Sequence, residues 1–181
     1  MYGMVNKAIE GLITEQFGED VWEKVVDTSG VEEDTFISLD PYPDDVTYKL
    51  VGAASEVLKA PAEDLLRAFG TYWTKYVGTQ GYGELMAIDD KSLGEFLTGL
   101  NEMHTRVAMT FPDLTPPSFS IDTTEDSTFD VHYRSTREGL APMVLGLLEG
   151  ILELKSVEGS TTWTTKKGDD SDHDVFRIQV A

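Results

Sequence analysis

Two stretches of this chain carry side chains that could do chemistry. The first holds a single histidine on an apolar stripe. Leu93, Phe96, Leu97, Leu100, Met103, Val107 and Phe111 recur at helical spacing, which predicts one helix over residues 92–110. Ser92 and Glu95 read as a capping box at its start, and Pro112 stops it. His104 falls on the stripe, between Leu100 and Val107, so its imidazole points into an apolar interior. A polar group left unpaired there costs roughly 2–7 kcal/mol. A backbone carbonyl or a water is the common partner. A metal is the other, since imidazole is the commonest protein metal ligand.

The second stretch, residues 129–137, alternates with period two. On a strand, Phe129, Val131, Tyr133, Ser135 and Arg137 share one face. That face starts apolar and ends in a phenol, a hydroxyl and a guanidinium. Three converging donors suit an anion with several oxygens. The chain has 14 Lys plus Arg against 33 Asp plus Glu, so an inward-facing arginine calls for an anionic partner. A haem meets both requirements: iron on His104, and propionates on Tyr133, Ser135 and Arg137.

At these residues the chain resembles the H-NOX family, the haem domains that sense nitric oxide or oxygen. The resemblance rests on His104 in a Leu-x-x-Met-His context, then Phe111-Pro112, Pro116-Pro117-Ser118-Phe119, and Tyr133-x-Ser135-x-Arg137. The opening Met1-Tyr2-Gly3-Met4-Val5-Asn6-Lys7-Ala8 and the run from Asp44-Asp45-Val46-Thr47-Tyr48 to Ala53-Ala54-Ser55 add to it. It spans essentially the whole chain and points to the cyanobacterial H-NOX proteins and the haem domain of the soluble guanylate cyclase β subunit. Tyr-x-Ser-x-Arg alone is a weak signal; with the upstream histidine and the Pro-Pro-Ser-Phe between, it is specific.

Length and composition bound the rest. A chain of 181 residues, 40% hydrophobic, is read as one domain over 1–181, large enough to bury a core and a ligand. No stretch approaches the ~20 apolar residues of a membrane span. The absence of cysteine removes disulfides, thiolate catalysis and thiolate metal sites. Together with the lack of a visible export signal, this leads us to expect a cytoplasmic protein without membrane insertion. The net charge of −19 opposes nucleic-acid binding.

Further helices are predicted over residues 2–17, 19–26, 44–58 and 61–76, with Asp44 capping the third and Pro61 opening the fourth. A short segment around Leu85 and Met86 follows. Strands are predicted over 119–122 and 128–135, then a helix over 139–154, then a hairpin of 157–165 and 175–180. The acidic turn 169–174 reads as solvated loop. The fold expected is α+β: an N-terminal helical subdomain, then a mainly antiparallel four-stranded sheet with an inserted helix, and haem buried between them.

The resemblance implies roles for more residues. Pro116 matches a proline that presses on the porphyrin and distorts it. Asp45 matches the carboxylate that partners Arg137. Met143 takes the distal position, Val5 and Leu147 add apolar wall, and Met1 and Leu100 are further cofactor contacts. Oxygen-binding relatives carry a tyrosine on the helix after the Tyr-x-Ser-x-Arg strand; here Gly139-Leu140-Ala141-Pro142-Met143-Val144 has no hydroxyl. Trp73 resembles a distal tryptophan of the cyanobacterial relatives and is read as filling space. The function implied is a sensor, not an enzyme. It uses haem b (iron protoporphyrin IX), takes nitric oxide and carbon monoxide over oxygen, and signals by weakening or breaking the iron–His104 bond. Its partner would be a histidine kinase, a cyclase, a diguanylate cyclase or a chemotaxis receptor. The rival is an oxygen sensor of the same fold with Trp73 as donor. A haem enzyme lacks the distal histidine–arginine pair needed for acid–base work on peroxide.

Overall fold

A computed structural model of the chain describes residues 1–33, 35–79, 91–125 and 127–181. The segment read around Leu85 and Met86 lies outside these residues. Four helices come first: α1 (Gly3–Phe17), α2 (Glu19–Ser29), α3 (Asp44–Leu58) and α4 (Ala62–Val77). Their apolar faces bury Ile9, Leu12, Trp22, Val25, Leu50 and Phe69 in one cluster. Gly18 separates α1 from α2 at φ 92, a conformation L side chains avoid. Then come α5 (Leu93–Thr98), α6 (Leu100–Thr110), β1 (Ser118–Glu125), β2 (Thr128–Arg134), α7 (Ala141–Leu154), β3 (Gly159–Thr165) and β4 (Asp174–Val180).

The four strands form one sheet in the order β1-β2-β4-β3, with every neighbouring pair antiparallel. Val131, Tyr133, Phe176 and Ile178 project from one face into a second core, shared with α5, α6 and α7. The α+β architecture expected from sequence is the one observed.

Several boundaries differ for physical reasons. The helix read over residues 92–110 is two helices, because Gly99 leaves helical geometry at φ −84, ψ 0. The apolar stripe continues across the break, so periodicity did not reveal it. The capping box at its start is present, with Ser92 and Glu95 each bonded to the other's backbone. Asp44 is the first residue of α3 rather than its cap; Pro43 is the cap. Pro61 likewise precedes α4. Strand β2 ends at Arg134, so Ser135 and Arg137 lie beyond it. The acidic turn is not all solvated: Asp174 is buried and accepts from Lys167 N at 2.9 Å and Trp163 Nε1 at 3.1 Å.

The two halves meet where α4 crosses α7, backbone against backbone. A Cβ at Gly146 would lie 1.9 Å from the Arg67 carbonyl oxygen, and one at Gly70 would lie 2.1 Å from that of Met143. The Arg67 guanidinium pairs with Glu149 beside the crossing. Gly146→Ala should therefore force the helices apart and cost about 1–3 kcal/mol, the usual range for overpacking. Gly52→Ala, at a helical position with open space, should instead stabilise by roughly 0.5–1 kcal/mol. Urea unfolding midpoints of the two variants give the comparison.

Candidate functional site

Two adjoining cavities of about 230 and 220 Å³ lie between the helical layer and the sheet layer. Both are lined by Trp73, Met103, His104, Pro117, Arg137, Leu140 and Met143. Jointly they fall in the range of sites that enclose a cofactor-sized ligand, ~300–1,000 Å³. Tyr133, Ser135, Leu100 and Leu147 line the first, and Met1, Val5 and Pro116 line the second. All the cofactor contacts expected from sequence thus border one connected space. Asp45 does not.

His104 sits on α6 one turn after Leu100. Its Nδ1 is enclosed by protein and has no hydrogen-bond partner. Burial lowers its pKa; the Leu100 carbonyl acts in the opposite sense, short of a formed bond to Nδ1. The imidazole is therefore neutral near pH 7, which is the form that ligates a metal. The Phe119 ring stacks on it, with centroids 5.8 Å apart and planes 10° from parallel. Sequence reasoning used Phe119 only as part of a motif; its position directly after Pro-Pro-Ser on an inward-facing strand was the available signal.

The donor group is held as a unit. Tyr133 is buried, which raises its pKa, and the Ser135 hydroxyl works the other way through a hydrogen bond. Ser135 Oγ accepts from Arg137 N at 3.0 Å. Arg137 donates from Nε to Asp44 Oδ2 at 2.7 Å, from Nη2 to Asp44 Oδ1 at 3.4 Å, and from Nη1 to the Thr115 carbonyl at 2.6 Å. A guanidinium has five N–H groups, so donors remain for an anion in the cavity. The Met1 amine donates to the same Asp44 carboxylate at 2.6 Å. Asp45, which the sequence suggested for this role, is exposed and pairs with Lys49 at 2.9 Å. As neighbours on α3 the two point different ways, and only Asp44 faces Arg137.

The other side of the cavity is apolar: Leu140, Met143, Val144, Leu147 and Leu148 come from α7 and its approach. One hydroxyl borders it, that of Thr74, and its proton is engaged by the Thr71 carbonyl at 2.8 Å. Trp73, whose indole N–H is a donor, lines both cavities. His132 and His173 are elsewhere, on the outer side of the sheet, with His132 Nδ1 and His173 Nε2 2.8 Å apart. Among the described residues no group of three or more His, Cys, Asp or Glu could hold a metal. A metal at His104 must therefore bring its own remaining ligands. A neutral unpartnered imidazole, an apolar slot and a cationic phenol-hydroxyl-guanidinium rim fit an iron porphyrin.

Fold and site thus define an α+β domain built to enclose a flat, partly anionic cofactor. The profile of the Haem-NO-binding (HNOB) family matches residues 2–158, and the chain belongs to that family. It is 31% identical over 151 residues to soluble guanylate cyclase gcy-31 of Caenorhabditis elegans, a match covering 83% of this chain and 22% of that protein. Soluble guanylate cyclase gcy-35 of the same organism is 31% identical over 154 residues, with the same coverage. The match thus spans about a fifth of the length of these relatives. Among solved structures, an S. oneidensis H-NOX protein in the Fe(II)NO state superimposes with a TM-score of 0.89 at 18% identity, covering 100% of this chain and 99% of that one. An oxygen-binding H-NOX domain in its oxygen complex gives 0.82 at 20% identity, covering 99% and 95%. The chain has the H-NOX fold and is a haem-binding gas-sensor domain related to soluble guanylate cyclases.

The Asp44 carboxylate has a testable pH signature. Burial works to raise its pKa, but hydrogen bonds from Arg137 and the Met1 amine, with their charges, outweigh it and hold it below the ordinary 3.8. A depressed folded-state pKa contributes stability above the unfolded value and loses it as pH falls through the folded one. Asp44→Asn should therefore flatten the acid limb of stability below about pH 4. At pH 7 it should cost at most about 1 kcal/mol, because the side chain is 38% exposed and water screens it. Asp45→Asn should leave the Arg137 anchor intact. Chemical denaturation from pH 3 to 7 checks both.

Proposed function

We propose that the chain, as one domain over residues 1–181, is a haem-based sensor. In this reading it binds nitric oxide, and carbon monoxide, at ferrous haem b and selects against oxygen. His104 is the iron ligand, and Tyr133, Ser135 and Arg137 take the propionates. The observation that carries the reading is the neutral, unpartnered His104 imidazole at a cavity whose rim holds those three donors.

The chain's own residues support each part. Burial keeps His104 unprotonated and so available to a metal. Asp44 and the Thr115 carbonyl fix the Arg137 guanidinium while leaving donors free. Pro116 follows the residue that Arg137 holds, so an anion bound at Arg137 would be mechanically linked to the position of this proline at the cavity. The α7 wall offers bound oxygen no hydroxyl, and oxygen on ferrous haem needs a donor far more than nitric oxide does. Ferrous haem supplies the gas-binding iron. His104 would hold that iron to α6, so weakening or breaking the iron–His104 bond would free α6 and alter the surface presented to a partner. That is a two-state element biased by a ligand with unequal affinity for the two states. The partner falls in the class of histidine kinases, diguanylate cyclases, guanylate cyclases or chemotaxis receptors. The role is sensing rather than catalysis, in the cytoplasm.

One observation favours a second reading. Trp73 borders both cavities and carries an indole N–H donor, which would serve bound oxygen in this reading. Visible spectra of the reduced protein decide between them. The sensor as proposed gives a high-spin five-coordinate ferrous spectrum that air leaves unchanged and nitric oxide shifts. A stable oxygenated spectrum in air, lost in Trp73→Phe, would establish the rival. In His104→Gly supplied with free imidazole, haem should be retained while the gas-dependent change in partner activity disappears. Persistence of that change would overturn the iron–His104 mechanism.

A further inference from the structure

Helix α4 carries an aromatic row of which Trp73 alone borders the cofactor space; Tyr76 and Tyr72 serve neither cofactor binding nor gas selection. Trp73, Tyr76 and Tyr72 recur at helical spacing, so their rings lie side by side. The Trp73 and Tyr76 rings stack at 6.1 Å and 25°, and the Tyr76 and Tyr72 rings stand 5.9 Å apart at 32°. The inner end of the row, Trp73, borders both cavities. At the outer end, Tyr72 donates its phenol proton to Glu15 Oε1 on α1 at 2.8 Å, at the surface. Simple packing accounts for a row of rings. It does not account for oxidisable rings running from the cofactor space to a phenol that already has a carboxylate base.

We propose that Trp73, Tyr76 and Tyr72 form a hole-conducting chain that carries an oxidising equivalent from the haem cavity to the surface, where Glu15 accepts the phenol proton. The proposal rests on the haem reading above. A phenol resists oxidation unless its proton can leave, because the oxidised ring is a strong acid. Glu15 meets that requirement. Burial and Glu15 both raise the Tyr72 pKa, so the proton stays on the phenol until an electron is removed. Tyr133 also lines the cavity, but the hydroxyl that acts on it is that of Ser135, which is a poor base.

The step balances. An electron passes from Tyr72 across the intervening Tyr76 ring, which keeps its proton and is not itself oxidised, to oxidised Trp73, which returns to neutral indole. The Tyr72 O–H bond breaks, its proton goes to Glu15 Oε1, and a neutral phenoxyl radical remains on Tyr72. The oxidant is hydrogen peroxide, which takes two electrons and two protons to give two waters; this row supplies one electron and a small-molecule thiol in solution the other. The same thiol resets Tyr72 by giving up a hydrogen atom; the thiyl radicals formed combine to disulfide. The chain would thus protect the sensor from oxidative damage at its own cofactor.

The test has two arms. In the first, haem-loaded ferric protein with a verified Soret band is mixed with hydrogen peroxide, freeze-quenched and examined by electron paramagnetic resonance. A tyrosyl signal is expected, lost in Tyr72→Phe and formed more slowly in Glu15→Gln, both with the Soret band unchanged. In the second, azidyl radicals from pulse radiolysis oxidise indoles of the full chain without added haem. First-order decay of indole radical into phenoxyl radical is expected, reduced in Trp73→Phe and in Tyr72→Phe. An unaltered tyrosyl signal in Tyr72→Phe, or no tyrosyl signal at all, overturns the proposal. Failure to bind haem would sink the haem reading alone, and the second arm would still decide whether the row conducts.

Discussion

A guanidinium at the mouth of an apolar cavity needs a fixed counter-charge, and the ion pair of Arg137 with Asp44 is the contact on which the rest of the site depends. It joins three parts of the chain that are remote in sequence. Asp44 opens α3 in the helical layer, Arg137 follows β2 in the sheet layer, and Thr115 leads into Pro116 and Pro117. The Tyr48 hydroxyl, one helical turn after Asp44, donates to the Glu138 carbonyl beside Arg137 and makes a second tie between the layers. Removing one member of such a group leaves the others with unmet hydrogen bonds, which is why a short network of this kind holds a cavity open at a defined width.

Across the cavity from that network, chemistry is set by what is withheld. His104 is denied a full partner for Nδ1 and is kept neutral by burial. The α7 wall is denied hydroxyls, and the Thr74 hydroxyl that does reach it has its proton tied to a backbone carbonyl. Gly70 and Gly146 let α4 and α7 approach closely enough to put Trp73 and Met143 on the same wall. The glycines are therefore part of the pocket's specification, although neither lines it.

What the sequence made legible follows from the reach of each signal. His104 and Tyr133 took the faces that helix and strand periods assign, whereas Ser135 and Arg137 lie beyond the end of β2 and reach the same cavity without the strand period to place them. The layer order was visible because helical patterns gave way to alternating ones after Pro117. The break at Gly99 was not, since an apolar stripe can run through a change of backbone geometry. The choice of Asp44 over Asp45 was not either: adjacent carboxylates on a helix diverge by about 100°, and the absolute rotation of α3 is set by tertiary packing. Asp174 looked solvated because five of its near neighbours are polar or acidic, yet Trp163 and the Lys167 backbone enclose it. Pairing across strands decides such cases, and one sequence does not encode it locally.

The chain's net charge of −19 poses a last question, because an acidic protein should repel an anionic ligand. Distance and screening answer it. At physiological ionic strength charges farther apart than ~8 Å are largely screened when they face solvent. Most of the excess carboxylates are exposed, so they act weakly on the cavity. Arg137, by contrast, has a side chain only 20% exposed and bonds that fix its orientation. A local, partly desolvated cation therefore outweighs a larger but diffuse negative field. The same argument explains why so few basic residues suffice: one guanidinium, with a phenol and a hydroxyl aligned beside it, does at close range what net charge cannot do from the surface.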